Sequence, residues 1–123
     1  MQDTTEKRKH SRIKVSIPLT YKELRTSEPN SRGALTGNLG EGGVKFSTDK
    51  FISLSCRMVV EISLPSIPKP MRAISKVAWI KKDPSGDNYE IGNQFLDMTK
   101  DDRSTLAEFV KNTLIPQSSP TPT

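Results

Sequence analysis

The stretch Ile13-Lys14-Val15-Ser16-Ile17-Pro18-Leu19-Thr20-Tyr21 decides the fold class of this 123-residue chain. Its apolar residues occupy every second position, and polar residues or proline stand between them. Because strand side chains alternate between two faces, this pattern puts the apolar side chains on one face. The stretch therefore predicts a half-buried β-strand. Pro18 predicts an edge position or a bulge, since proline cannot donate to a ladder.

Further strand patterns follow toward the C-terminus. After a polar loop over residues 25–32, we predict strands at Ala34–Leu39, Val44–Ser47, Arg57–Leu64, Met71–Lys82 and Tyr89–Leu96. The cluster Asp83-Pro84-Ser85-Gly86-Asp87-Asn88 predicts a turn, so the last two strands should form a hairpin. Gly92 within the final strand predicts a bulge or a close backbone approach.

One helix is predicted at the end of the chain. Thr99 is a suitable N-cap, and Asp102, three residues later, can complete a capping box. An apolar stripe with helical spacing follows at Leu106, Phe109, Val110 and Leu114, and Pro116 is expected to end the helix. Several antiparallel strands followed by one covering helix predict a mainly β fold, a small β-barrel with a C-terminal α-helix.

The chain divides into three predicted parts. Residues 1–12 form a flexible basic arm, residues 13–115 form one barrel domain with its helix, and residues 116–123 form a disordered tail. No apolar run is long enough to cross a bilayer, and the N-terminus lacks the apolar core of a secretory signal. The single cysteine, Cys56, excludes an internal disulfide. We therefore predict a soluble cytoplasmic protein, with Cys56 as a half-buried filler.

The charge distribution favours anionic partners. The formal net charge is +5 and the sequence pI is about 9.5. Four cations, Lys7, Arg8, Lys9 and Arg12, fall in one short stretch of the arm, so the positive potential should be concentrated there. A solvated basic arm without any ligand is the alternative interpretation of this stretch.

The residues typical of catalysis are sparse. The only histidine, His10, lies in the basic arm, and one histidine with one distant cysteine does not make a metal site. The sequence contains no nucleophile elbow, phosphate loop or dinucleotide fingerprint. Asp101-Asp102 fits the start of a helix better than an acid–base pair. We therefore predict that the protein is not an enzyme and holds neither metal nor cofactor.

Two short segments and their strand context resemble a known family. They are Arg8-Lys9-His10-Ser11-Arg12 and Asn38-Leu39-Gly40-Glu41-Gly42-Gly43, followed by Val44-Lys45-Phe46, Val77-Ala78-Trp79-Ile80 and Ile91-Gly92-Asn93-Gln94-Phe95. Their order resembles that of the PilZ domain, a bacterial receptor module for cyclic di-GMP, across residues 6–115. The family pattern is Arg-x-x-x-Arg, then Asp/Asn-x-Ser-x-x-Gly. The resemblance implies a small antiparallel six-stranded barrel with a C-terminal helix.

The resemblance also implies a ligand and a site. The implied ligand-binding residues are Lys7, Arg8, Lys9, Arg12, Asn38, Gly40 and Gly43. Arg8 and Arg12 would bind phosphate or the O6 and N7 edge of guanine, for which the planar guanidinium fork is suited. Asn38 would hydrogen-bond a guanine, and Gly43 would allow close backbone approach. Gly40 departs from the pattern, which has serine there, so one hydroxyl is missing.

The resulting hypothesis is a single-domain cyclic di-GMP receptor that signals through an unidentified partner protein, in motility or biofilm regulation. Two alternatives stay open. The first is a PilZ-like adaptor that does not bind nucleotide, which Gly40 favours. The second is a basic β-barrel that binds nucleic acid, which the low aromatic content of 6% disfavours because single-stranded bases need stacking platforms.

Overall fold

Antiparallel strands dominate the described part of the chain, which is residues 12–25 and 31–118 of a computed structural model. The elements in chain order are β1 (Arg12–Lys14), β2 (Pro18–Glu23), β3 (Arg32–Gly40), β4 (Gly43–Thr48), β5 (Arg57–Ile62), β6 (Met71–Lys82), β7 (Tyr89–Asp97) and α1 (Lys100–Ser118). The strands β3, β2, β5, β6, β7 and β4 pair in that order, and a β3–β4 pairing closes the ring. The predicted six-stranded barrel with a C-terminal helix is confirmed, and β1 is an additional strand.

The alternating stretch at residues 13–21 forms two strands rather than the one predicted. Both β1 and β2 pair with the same edge of β3, but a break separates them. The side chain of Thr36 fills this break: its Oγ1 accepts the N–H of Ile17 at 3.0 Å and donates to the carbonyl of Val15. These bonds satisfy backbone groups that the interrupted ladder leaves free. The predicted edge position or bulge at Pro18 is wrong: Pro18 is the first residue of β2, which pairs with β3 and β5 without a register shift.

Alternate side chains from the strands fill the barrel, as the sequence pattern predicts. Leu39, Met58, Val60, Ile62 and Ile91 are completely buried in this core. The helix α1 packs against β1, β3 and β6, and buries Leu106 and Val110 of its apolar stripe. Burying a side chain of this size contributes roughly 1.5–3 kcal/mol. The predicted packing of the helix on the barrel is therefore confirmed.

The ends of α1 differ in how well the sequence predicts them. Thr99 caps the helix as predicted, since the N–H of Asp102 donates to Thr99 Oγ1 at 3.1 Å. The carboxylate of Asp102 does not complete a capping box; its Oδ2 accepts the N–H of Arg72 on β6 at 3.1 Å. The predicted end at Pro116 is wrong, because α1 continues to Ser118. Proline lacks the backbone N–H, so α1 continues past Pro116 without the hydrogen bond that this residue would otherwise donate. Residues 119–123 of the predicted tail lie outside the described residues.

Cys56 provides a test of the packing beside β5. The side chain is half-buried against the core, and its Sγ donates to Glu23 Oε1 at 3.5 Å. Burial raises the pKa of the Cys56 thiol, and the charge and hydrogen bond of Glu23 raise it further.

Because the thiolate is the nucleophile, alkylation of Cys56 by iodoacetamide should have its midpoint at a higher pH than alkylation of a free thiol. Replacing Glu23→Gln should move that midpoint to lower pH, whereas Glu61→Gln should not. Superimposable pH profiles for all three proteins would contradict this assignment.

Candidate ligand-binding site

A row of directly opposed residues crosses the outer face of five strands. Lys14 on β1 is opposite Asn38 on β3, and Asn38 is opposite Lys45 on β4. Lys45 is in turn opposite Gly92 on β7, and Gly92 is opposite Trp79 on β6. Directly opposed residues of an antiparallel pair project from the same face. Strand pairing alone therefore brings these five positions together.

A cavity of about 290 Å³ lies along this row. Four of the predicted site residues line it: Arg12, Asn38, Gly40 and Gly43. The remaining lining residues are Gly42, Val44, Lys45, Ala78, Trp79, Gly92, Asn93 and Gln94. The other predicted site residues, Lys7, Arg8 and Lys9, lie outside the described residues. The lining in the described part carries two cations and no carboxylate, so it suits an anionic ligand.

The glycine turn positions two strands as well as the cavity wall. The strand β3 ends at Gly40 and β4 begins at Gly43, so only Glu41 and Gly42 connect them. A Cβ at Gly43 would overlap the carbonyl oxygen of Asn93 and lie 3.2 Å from its carbonyl carbon. No described glycine has a positive φ, so conformational freedom does not explain Gly43. Glycine is needed here because the backbones of β4 and β7 approach too closely for any side chain.

Trp79 presents a flat aromatic surface to the cavity. Its indole lies over Gly92, where a Cβ would overlap Nε1 and Cε2 and lie 2.7 Å from Cζ2. The pairing register of β6 with β7 shifts between Val77 and Trp79, so the bulge is on β6. The close approach predicted at Gly92 comes from this indole rather than from backbone. The side chain of Trp79 remains 36% exposed, which leaves ring surface for a ligand.

Lys45 is the cation at the centre of the row. Its Cε lies 3.3 Å from the position that a Cβ on Gly37 would take, beside a register shift in β3. The ammonium Nζ is 3.6 Å from Oε2 of Glu90 on β7. Both side chains are partly exposed, at 29% and 41%. The stem of Lys45 is therefore packed, whereas its charged end lies at the surface.

Asn93 contributes its backbone and not its amide to the cavity. Its Nδ2 donates to Ser75 Oγ at 2.8 Å and to Met58 Sδ at 3.3 Å inside the barrel. Both of these partners are fully buried, so the side chain points away from the outer face. Its Oδ1 is buried without a hydrogen-bond partner among the described residues. Asn38 and Gln94 are therefore the remaining residues with amide side chains among the described lining residues.

The family is decided by a match over most of the chain. The family model of the PilZ domain matches residues 6–112. The chain belongs to the PilZ domain family. The match includes the basic arm from residue 6 onward, the barrel and most of α1, so the predicted resemblance is confirmed. No curated protein sequence matches this PilZ domain.

Solved structures show the same PilZ fold at low sequence identity. The Bacillus subtilis inhibitor of motility (MotI/DgrA) is 15% identical with a TM-score of 0.76, covering 91% of this chain and 53% of that one. The PilZ domain of Escherichia coli YcgR with c-di-GMP is 12% identical with a TM-score of 0.68, covering 94% and 100%. The K. pneumonia MrkH–c-di-GMP complex is 14% identical with a TM-score of 0.68, covering 93% and 54%. The chain thus spans about half of the MotI/DgrA and MrkH chains.

The sequence prediction for this PilZ domain omits two prominent residues of the cavity. The position of Trp79 could have been predicted from the sequence, because the predicted hairpin pairs Lys82 with Tyr89. Counting three residues outward from that pair places Trp79 opposite Gly92, and the only tryptophan opposite a glycine is a signal of exposed ring surface. Lys45 had no such local signal, since its position in the row depends on the distant pairing of β4 with β7.

Proposed function

We propose that this PilZ domain is a bacterial receptor for cyclic di-GMP, which binds at the cavity and signals through a partner protein. The observation that carries the proposal is convergence: Arg12, Asn38, Gly40 and Gly43 line one cavity although two separate sequence segments supply them. The complexes of YcgR and MrkH with c-di-GMP, which share the fold, support the choice of ligand.

The chemistry of the cavity agrees with a guanine dinucleotide. The guanidinium of Arg12 can donate two parallel bonds to a phosphate or to the O6 and N7 edge of guanine. The amide of Asn38 can both donate to and accept from a base edge. The exposed ring surface of Trp79 offers a stacking platform for a purine. One base and its phosphate can therefore be bound by residues of three different strands.

The basic arm completes the proposed site. A cavity of about 290 Å³ is at the small end of the range for ligand pockets, so a dinucleotide needs more contact surface than the cavity offers. The arm enters beside the cavity, because Arg12 is opposite Gly40 at the start of β1. In the proposal, Lys7, Arg8 and Lys9 lie over the bound nucleotide and change the surface that a partner protein meets.

Calorimetric titration with cyclic di-GMP tests the proposal. We expect micromolar or tighter binding, with a stoichiometry that separates one nucleotide from an intercalated pair. The fluorescence of the single tryptophan should change in the same titration, because Trp79 lines the cavity. Cyclic di-AMP is the matched control, since adenine lacks the O6 acceptor. A flat titration, or equal binding of the two dinucleotides, would overturn the proposal.

The adaptor alternative rests on Gly40 and has its own test. A serine at this position would supply the hydroxyl of the family pattern, and a neutral hydrogen bond contributes on the order of 0.5–1.5 kcal/mol. We therefore expect Gly40→Ser to strengthen binding of cyclic di-GMP by roughly 2- to 12-fold. Gly33→Ser is the matched control on the same strand, outside the cavity. Equal affinities of Gly40→Ser and Gly33→Ser for cyclic di-GMP would show that a hydroxyl at position 40 does not contribute to binding.

The proposed signalling takes place in the cytoplasm and concerns motility or biofilm formation. Among the described residues, no helix is long and apolar enough to cross a membrane. The structural likeness to an inhibitor of motility supports this choice of process. Pull-down with the ligand present and absent is the direct search for the partner, and the proposal requires a protein whose capture depends on cyclic di-GMP.

A further inference from the structure

We propose that Lys45 is a ligand-binding residue that changes its partner: it pairs with Glu90 in the free domain and with a ligand phosphate in the complex. Glu90 then lowers the affinity by competing for the ammonium. This inference rests on the proposed function of the cavity. It adds a phosphate contact from β4 that lies outside both predicted segments.

The position of Lys45 puts its ammonium within reach of a bound ligand. Lys45 is directly opposite Asn38 on one side and Gly92 on the other, and it lines the cavity. Opposed Cβ atoms are about 4.5–5.5 Å apart, which is comparable to the reach of a lysine side chain beyond its Cβ. The stem rests beside Gly37 on β3, so it is the charged end that can turn. A phosphate held near Asn38 is therefore accessible to Nζ.

The pairing with Glu90 is weak enough to be exchanged. The 3.6 Å separation and the exposure of both side chains describe a surface ion pair, which contributes little in water. At 3.6 Å the contact with Glu90 is longer than a hydrogen bond, whereas an ammonium and a phosphate can form a charge-assisted hydrogen bond of about 2.7–2.9 Å. Exchanging the carboxylate for a phosphate inside the cavity therefore favours the complex.

Glu90 keeps a cationic neighbour when Lys45 leaves. Lys81 on β6 is directly opposite Glu90, on the side away from β4. Opposite charges at directly opposed positions attract each other across a sheet. The carboxylate is thus not left isolated by the exchange. The arrangement gives Lys45 two alternative anions and gives Glu90 two alternative cations.

Two variants with opposite expected effects test the inference. Lys45→Met keeps an apolar stem beside Gly37 without the charge, and should weaken binding of cyclic di-GMP roughly tenfold. Glu90→Gln removes the competing carboxylate, and should strengthen binding by up to about fivefold. A gain in affinity cannot result from misfolding, so the result for Glu90→Gln can be interpreted even if Lys45→Met fails to fold.

Lys50 and Glu23 provide a matched control pair. They form a similar exposed lysine–glutamate pair at 4.0 Å, and neither residue lines the cavity. Lys50→Met and Glu23→Gln make the same changes in net charge, so they measure the long-range field alone. Both should bind like the wild type. Lys45→Arg should also stay close to the wild type, because it keeps the cation.

Salt dependence separates a charge contact from a packing defect. The Debye length falls from about 10 Å at 0.1 M salt to about 3 Å at 1 M, so the deficit of Lys45→Met should shrink as salt is raised. This inference would be overturned if Lys45→Met bound cyclic di-GMP as well as Lys50→Met does, or if Glu90→Gln bound it more weakly than the wild type. In either case, binding by the wild type would still uphold the proposed function. No wild-type binding would instead overturn the proposed function, and this inference with it.

Discussion

Replacing Arg8 and Arg12 together with alanine should weaken binding of cyclic di-GMP by roughly a hundredfold or more. Each guanidinium is expected to make a charge-assisted contact of about 1.5–3 kcal/mol, and the two contributions should add if the arginines bind different groups of the ligand. Arg12 is exposed at the start of β1 and lines the cavity, so its replacement should leave the core packing intact. Each single variant should lose about tenfold or more.

The control for the arginine variants is Arg103→Ala on the exposed face of α1, which changes the net charge without touching the cavity. Calorimetry with the full chain compares the wild type, the two single variants, the double variant and Arg103→Ala under one salt condition, because surface electrostatics depend on ionic strength. Thermal unfolding should be nearly the same for every variant. If the double variant keeps wild-type affinity, the assignment of the basic arm to the ligand is wrong.

Gly43→Ala should be the most destabilising single substitution at the cavity. The added Cβ would overlap the carbonyl oxygen of Asn93 and lie only 3.2 Å from its carbonyl carbon. These are backbone atoms of β7, so no side chain can rotate away, and β4 must separate from β7. We expect a loss of about 3 kcal/mol in the free energy of unfolding, which is a large part of the stability of a small domain.

Gly86→Ala is the matched control for that substitution. Its Cβ would meet nothing within 4 Å, and its φ is not positive, so the change should leave the stability almost unaltered. Urea unfolding followed by circular dichroism compares the two variants with the wild type. Equal midpoints for Gly43→Ala and Gly86→Ala would mean that β4 and β7 do not approach as closely as the structure has them.

Local signals explain which elements were predicted well. The strand Met71–Lys82 has the predicted bounds because prolines precede it and a turn cluster follows it. The single strand predicted over residues 13–21 is broken because Thr36, from a distant part of the chain, supplies hydrogen bonds at Ile17 and Val15. Within the stretch itself, only Pro18, which directly follows the break, interrupts the strand-forming residues. The alternation continues through it, so the predicted face was right although the continuity was not.

The candidate site also contains residues that local sequence predicts and residues whose position depends on distant strand pairing. Arg12, Asn38, Gly40 and Gly43 were predicted because each belongs to a short segment with its own pattern, and all four line the cavity. Lys45 was not predicted as a site residue, since its neighbours across the sheet come from β3 and β7. The reason for Gly43 also differs from the predicted one. The glycine allows two strands to approach each other, whether or not a ligand approaches as well.

Because β1 is held by few pairing residues, a ligand bound at this site should also affect the stability of the domain. The pairing of β1 with β3 involves three residues and leaves β1 outside the closed ring. A molecule that contacts both Arg12 and Trp79 joins the first described strand to β6, which is distant in the sequence. Such a molecule acts as a reversible cross-link between remote parts of the chain. If the proposed function holds, ligand binding should therefore raise the free energy of unfolding and should hold β1, which pairs through only three residues, in place.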